Sequence, residues 1–248
     1  MKYAVCVLAM VAAVLIAQPA VAQVYSWDGG GSDNLWSNDS NWRNNIEPPM
    51  TGAHDISIKA SALVSPFQNL ANWNYSSTGS CATLEVVANS SYGMTFRKSG
   101  SADFQATGRL ALTGFSSTRQ ATLDADADLE VMGLSAYNYV TLDVASGVTV
   151  YNPSSFRVDA TSAYTECRKV GAGTITCESL VVEPGDSAAA PPEHAYVFLD
   201  GGNIAVEGSM KTQIYGSPTI DVEGVVRLQG ATFDPGGFQL SGGSNASR

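Results

Sequence analysis

The sequence predicts an all-β protein, a single-stranded, right-handed parallel β-helix (β-solenoid) with an N-terminal Trp-rich cap. Three observations carry this expectation. Short apolar–polar alternations recur along the chain, as in Leu110-Ala111-Leu112, Leu129-Glu130-Val131 and Val148-Thr149-Val150, and a period of two is the period of a strand. Those alternations fall into columns at a fixed longer spacing: Phe104, Leu123 and Leu142; Leu110, Leu129 and Val148; Leu112, Val131 and Val150; then Gly114, Gly133 and Asn152. Each column steps by 19 residues, and strand alternation inside a longer repeat is the signature of coils stacked on one another. Lastly, Trp27, Trp36, Trp42 and Trp73 are all the tryptophans and lie in the first third of the chain. A β-sandwich also repeats strands every 8–12 residues, but it gives no reason for the columns to hold register over three successive units.

In chain order, residues 1–22 read as a signal peptide. Lys2 supplies the positive start, Ala4 to Ala17 is almost wholly apolar, and Ala20-Val21-Ala22 offers the small residues of a cleavage site before Gln23. The apolar run of about 14 residues is shorter than the ~20 a spanning helix needs. The expected location is therefore secreted or at the cell surface, without membrane insertion after cleavage. Residues 23–54 form the Trp-rich cap and a linker containing Glu47-Pro48-Pro49. Residues 55–241 form the solenoid, opening on Ile56 to Ile58 and continuing through Phe156-Arg157-Val158, Ile175-Thr176-Cys177, Ile204-Ala205-Val206, Ile220-Asp221-Val222 and Val226-Arg227-Leu228. Glu183 to Ala195, with four of its residues Pro or Gly, reads as a long loop leaving the wall. Residues 242–248 are a low-complexity tail, expected to be flexible.

Leader removal leaves 12 basic against 23 acidic side chains, a net charge of −11. Such a surface repels nucleic acid and anionic lipid, so neither is an expected partner. Three cysteines remain after processing. Cys167 and Cys177 lie symmetrically about Ala172 in Gly171-Ala172-Gly173. If that turn closes a hairpin, the two face each other and form a disulfide in an oxidising compartment; on different strands they are two separate buried thiols.

The segment Tyr25 to Trp42, through Trp27, Gly29, Gly30, Trp36, Asn41 and Trp42, resembles the entry motif of bacterial autotransporter-associated β-strand repeat proteins and related exosortase-sorted surface proteins. The resemblance covers about 18 residues of the chain, with weaker support from the repeats behind it. It implies a long exported β-helix and says little about activity. No translocator barrel or sorting helix is visible in the sequence, so the expectation is a released chain or an incomplete one.

Catalytic signatures are absent: there is no G-x-S-x-G, S-x-x-K, G-x-x-x-x-G-K or C-x-x-C. The two histidines, His54 and His194, are far apart in sequence and sit in Pro/Gly-flanked stretches, so both are expected to be solvated loop residues. Asp124-Ala125-Asp126-Ala127-Asp128 would place three carboxylates on one face if it were a strand, each about 7 Å from the next. Glu130 or Asp143 from adjacent coils would extend the ladder. Such hard oxygen ligands suit calcium, the one cofactor the sequence suggests. The run lacks the glycines of a calcium repeat and no base is visibly paired with it, so a solvated acidic face is the preferred reading. Trp27, Trp36 and Trp42 serve either as the cap of an otherwise open core or as a platform for sugars, and their place just before the first strand favours the cap.

The functional expectation is an extracellular or cell-surface structural or adhesive module without catalysis, touching extracellular polysaccharide or cell-surface components. The alternatives are a carbohydrate-active β-helix enzyme, a polysaccharide lyase or glycosidase whose acid pair the sequence does not single out, and a glycan-binding module using its tryptophans.

Overall fold

A computed structural model describes residues 22–64, 69–159, 164–183, 194–212, 219–222, 225–228, 232–233 and 239–241. The expected leader apart from Ala22, most of the expected loop from Glu183 to Ala195 and the expected tail lie outside the described residues. The described strands, numbered in chain order, stack in two sheets. The first sheet holds β1 (Val24–Trp27), β2 (Asp55–Lys59), β4 (Gly79–Val87), β6 (Phe104–Thr113), β8 (Leu129–Val131), β9 (Leu134–Tyr137), β11 (Thr149–Asp159), β13 (Thr174–Glu183), β15 (Asn203–Thr212), β17 (Val225–Leu228) and β18 (Thr232–Phe233). The second holds β3 (Leu70–Trp73), β5 (Met94–Lys98), β7 (Ala121–Ala125), β10 (Tyr139–Val144), β12 (Tyr164–Val170), β14 (His194–Leu199), β16 (Thr219–Val222) and β19 (Gln239–Ser241).

Every strand pairing is parallel, from β1 on β2 to β16 on β19. A sandwich of hairpins would be antiparallel, so the chain is a β-solenoid. Alternate side chains point inward and form one continuous core running from Trp27 through Leu84, Leu123 and Val150 to Ile204. The strand signatures read from sequence lie where expected: Ile56 to Ile58 in β2, Phe156 to Val158 in β11, Ile175 to Cys177 in β13 and Ile204 to Val206 in β15.

The register differs from the 19-residue columns. Leu123 does stack on Leu142. Leu110, however, stacks on Leu134 and Leu134 stacks on Phe156, while Leu129 pairs with Val150. Phe104 belongs to the first sheet and Leu123 to the second. Gly114 turns the chain from one sheet to the other, whereas Gly133 sits between β8 and β9.

The coils vary in length because their two corners obey different rules. Passing from the second sheet back to the first, the described connections are short, from three residues at 126–128, 171–173 and 200–202 to 145–148, 74–78 and 99–103. These corners are stacked backbone on backbone. At Gly171, which has φ 73°, a Cβ would lie 2.4 Å from the Val144 carbonyl oxygen, so only glycine fits. Passing from the first sheet to the second, the connection ranges from Asn138 alone, at φ 60°, to 184–193. The first sheet also bends midway: β8 and β9 are separate, and pairing shifts between Cys81 and Thr83, Asn152 and Ser155, and Cys177 and Ser179.

Candidate functional site

The tryptophan segment is part of the solenoid rather than an appendage. β1 is the first rung of the first sheet, paired to β2 from Val24 on Asp55 to Trp27 on Ile58. Residues 34–36 form a partial rung on β3, with the Trp36 N–H donating to Asn72 O at 2.9 Å and the Asn72 N–H to Asn34 O at 2.9 Å. Trp27, Trp36, Trp42 and Trp73 are all buried. Trp42 meets Trp27 edge-on at 5.3 Å between centroids and Trp36 at 4.6 Å, and Trp36 goes on to Trp73, Phe96 and Phe104. The Trp42 indole N–H donates to Trp36 O at 2.8 Å. Sugar stacking needs an exposed ring face, and these indoles offer none; the aromatic cluster closes the core.

The polar residues of the same motif hold this cap. Asn41 is fully buried; its Nδ2 donates to Asp33 Oδ1 at 3.1 Å and Leu35 O at 2.9 Å, and its Oδ1 accepts the Gly31 N–H at 3.0 Å. A Cβ on Gly31 would lie 2.5 Å from that Oδ1. Asp33 also accepts from the Leu35 N–H and from Asn38, and these bonds, led by the Leu35 amide, hold its carboxyl below the ordinary range. Asn38 caps the short 3-10 turn Asp39–Asn41.

The acidic run does not form the ladder that a strand would give, the less favoured of its two readings. Only Asp124 lies in a strand facing outward on the second sheet; Asp126 falls in the corner and Asp128 at its end, beside the first sheet. The run enters a corner after Ala125, so the three carboxylates form no single ladder, although Arg97 reaches both Asp124 and Asp126, with Nε to Asp126 Oδ2 at 3.7 Å. Asp124 is paired with Arg97, its neighbour on β5, with Nη2 to Oδ2 at 2.5 Å. The base that the sequence did not disclose stands 27 residues upstream. Burial raises the Asp124 carboxyl above its ordinary value against the pull of Arg97. Among the described residues no group of three His, Cys, Asp or Glu side chains is placed to hold a metal ion.

The Cys167–Cys177 disulfide is not formed; both are free thiols, as is Cys81. Gly171-Ala172-Gly173 is a solenoid corner between sheets, not a hairpin turn, so Cys167 pairs in register with Val140 and Val197 while Cys177 pairs with Asn152 and Val206. Burial pushes the Cys81 and Cys177 thiols up to about 12 and raises Cys167 as well. Such thiols are poor nucleophiles. His54 is buried, packs edge-on to Tyr25 at 5.3 Å, and burial lowers its pKa; a solvated loop residue was the expectation. The side chain of His194 lies outside the described residues.

Two lysines enter the core unannounced by the sequence. Lys169 is fully buried, with Nζ donating to the carbonyls of Val170 at 2.8 Å, Gly171 at 2.9 Å and Gly201 at 3.1 Å. Lys98 is likewise buried and donates to Gly100 O, with Asp103 and Asp128 nearby opposing the fall in its pKa caused by burial.

A groove of about 260 Å³ lies on the outer face of the first sheet, with Asp103, Gln105, Asp128, Glu130, Thr149 and Tyr151 among its lining residues. Gln105, Glu130 and Tyr151 stand side by side on successive rungs, and Asp103, Asp128 and Thr149 lie two positions before them. Gln105 Nε2 donates to Glu130 Oε2 at 2.7 Å, and Asp128 Oδ1 accepts the Thr149 N–H at 2.7 Å. Sequence reasoning found Asp128 and Glu130 but missed Asp103, Gln105 and Tyr151. Those partners come from coils of unequal length, which leave no periodic trace. Compared with known proteins, the chain matches no family model, no curated sequence and no solved structure.

Proposed function

We propose that this chain is an exported, non-catalytic β-solenoid that serves outside the cell, secreted or at the cell surface, as a structural or adhesive module. The observation that carries the reading is how the outward side chains are employed. Arg97 pairs with Asp124, Lys59 with Glu85 at 2.7 Å, Arg168 with Asp200 at 2.7 Å, and Thr83 donates to Asp55 at 2.6 Å, each bond linking one coil to another. Charged and hydroxyl groups spent on coil-to-coil cohesion suit a rigid rod. The aromatic cap supports the same reading, since it shields the N-terminal core from water and from stacking by another chain.

Fractionation of expressing cells tests it: the protein should leave the cytoplasm with an intact mass that begins at Gln23. Cytoplasmic retention with the leader attached would overturn the exported reading. A second reading, a carbohydrate-active enzyme, is favoured by one observation, the three carboxylates Asp103, Asp128 and Glu130 in one groove. New reducing ends or unsaturated products from a polysaccharide incubated with the purified protein would replace the first reading with the second.

A further inference from the structure

We propose that the groove on the first sheet is a binding site for a neutral polysaccharide chain running along the solenoid axis, with Tyr151 as its stacking surface. The proposal rests on the adhesive reading above and gives it a ligand class and a place. Tyr151 is 45% exposed, whereas Phe104, the other aromatic among the groove's described lining residues, is buried, and Tyr151 stands beside Glu130 on the neighbouring rung. An exposed ring offers the apolar face of a pyranose a flat partner, while its hydroxyl stays in water. Beside it lie a planar amide and a planar carboxylate already locked together by the Gln105–Glu130 hydrogen bond. That bond fixes the Gln105 side chain and leaves its carbonyl oxygen, its second N–H and the other Glu130 oxygen for ligand hydroxyls. Asp128 is similarly fixed through one oxygen by the Thr149 amide, and the other remains to accept.

The geometry selects the ligand further. Rungs are about 4.8 Å apart and same-face residues about 7 Å apart along a strand. The first spacing is close to the advance of a polysaccharide per sugar, so a chain laid across β6, β8 and β11 meets one rung per unit. Three carboxylates and no basic side chain line the groove. An acidic polymer would meet like charge at each step, which costs affinity, so the site suits uncharged glycans. The buried tryptophans take no part.

The test is affinity electrophoresis of the mature secreted protein through gels containing a mixed-linkage β-glucan, a xylan, a galactomannan or polygalacturonate. At least one neutral polymer should retard the protein, and polygalacturonate should not. Tyr151→Ala should weaken the retardation at least tenfold, Tyr151→Phe should retain it, and Gln105→Ala should weaken it, all with unchanged thermal midpoints. Retardation by none of the neutral polymers, retention of binding in Tyr151→Ala, or preference for polygalacturonate would each overturn the proposal. If Tyr151→Ala is misfolded, Gln105→Ala decides the matter in its place. Location is read by fractionation and depolymerisation by product analysis, so failure of the groove is distinct from failure of the exported or non-catalytic reading.

Discussion

At the cap, Asn41 lies buried among indoles with both ends of its amide bonded, to Asp33, Leu35 and Gly31; further along the solenoid, Lys169 carries an ammonium into the same core, held by three carbonyls at a stacked corner. Both arrangements satisfy their hydrogen bonds. They differ in what they ask of the interior. A neutral amide that makes all its bonds costs little to bury, whereas a cation must also give up its hydration, and carbonyl dipoles restore only part of it. The cap should therefore respond to loss of packing and the corner to pH.

The largest effect is expected from Trp42→Ala, which removes a fully buried indole, its two edge-on ring contacts and the bond to Trp36 O. Chemical denaturation should show a loss of about 4 kcal/mol, with increased aggregation; an unchanged midpoint would remove the cap from the account. Asn41→Leu keeps most of the volume but leaves the Gly31 N–H and Leu35 O without their partner. It should cost about 2–3 kcal/mol, visible as a lower midpoint in the same titration.

At the corner, burial brings Lys169 down to about 8 from an ordinary 10.5, with Asp143 opposing. The folded chain therefore loses this proton first, and between those values the unfolded chain holds more protons. Stability should rise with pH across that window, by at most about 3 kcal/mol. Lys169→Met should remove the rise, so the difference between parent and variant measured from pH 7 to 11 checks the sign. A parallel course for both would mean that the carbonyl cage supports the charge without penalty. The smallest effect is expected outside the core. Lys59 and Glu85 form an exposed pair at 2.7 Å, and Lys59→Ala should change stability by less than about 0.5 kcal/mol, with any change vanishing at high salt.

Alternation and tryptophan placement made the fold class and the capped end legible. Trp27, Gly29, Asn41 and Trp42 act within one short segment, where bonds such as Asp28 N–H to Asn41 O at 2.8 Å are local, so the motif and its structure are nearly the same information. The groove was not legible, because Gln105, Glu130 and Tyr151 meet only when three coils close.

What the sequence determined by itself is the strand character of the chain and the end at which its core is sealed, since both depend on neighbours along the chain. Register was decided by the tertiary structure alone. Alternation marks which residues of a strand face inward but not which strand lies on which, so the apolar column Leu110, Leu129 and Val148 looks by pattern like the true stack of Leu110, Leu134 and Phe156. The 19-residue step holds from Leu123 to Leu142 because Asn138 alone joins β9 to β10, and it fails wherever a longer connection lengthens the coil. Which residues share a face, including Asp124 with Arg97 and Glu130 with Gln105 and Tyr151, follows from the backbone hydrogen bonds that close each coil on the one before it.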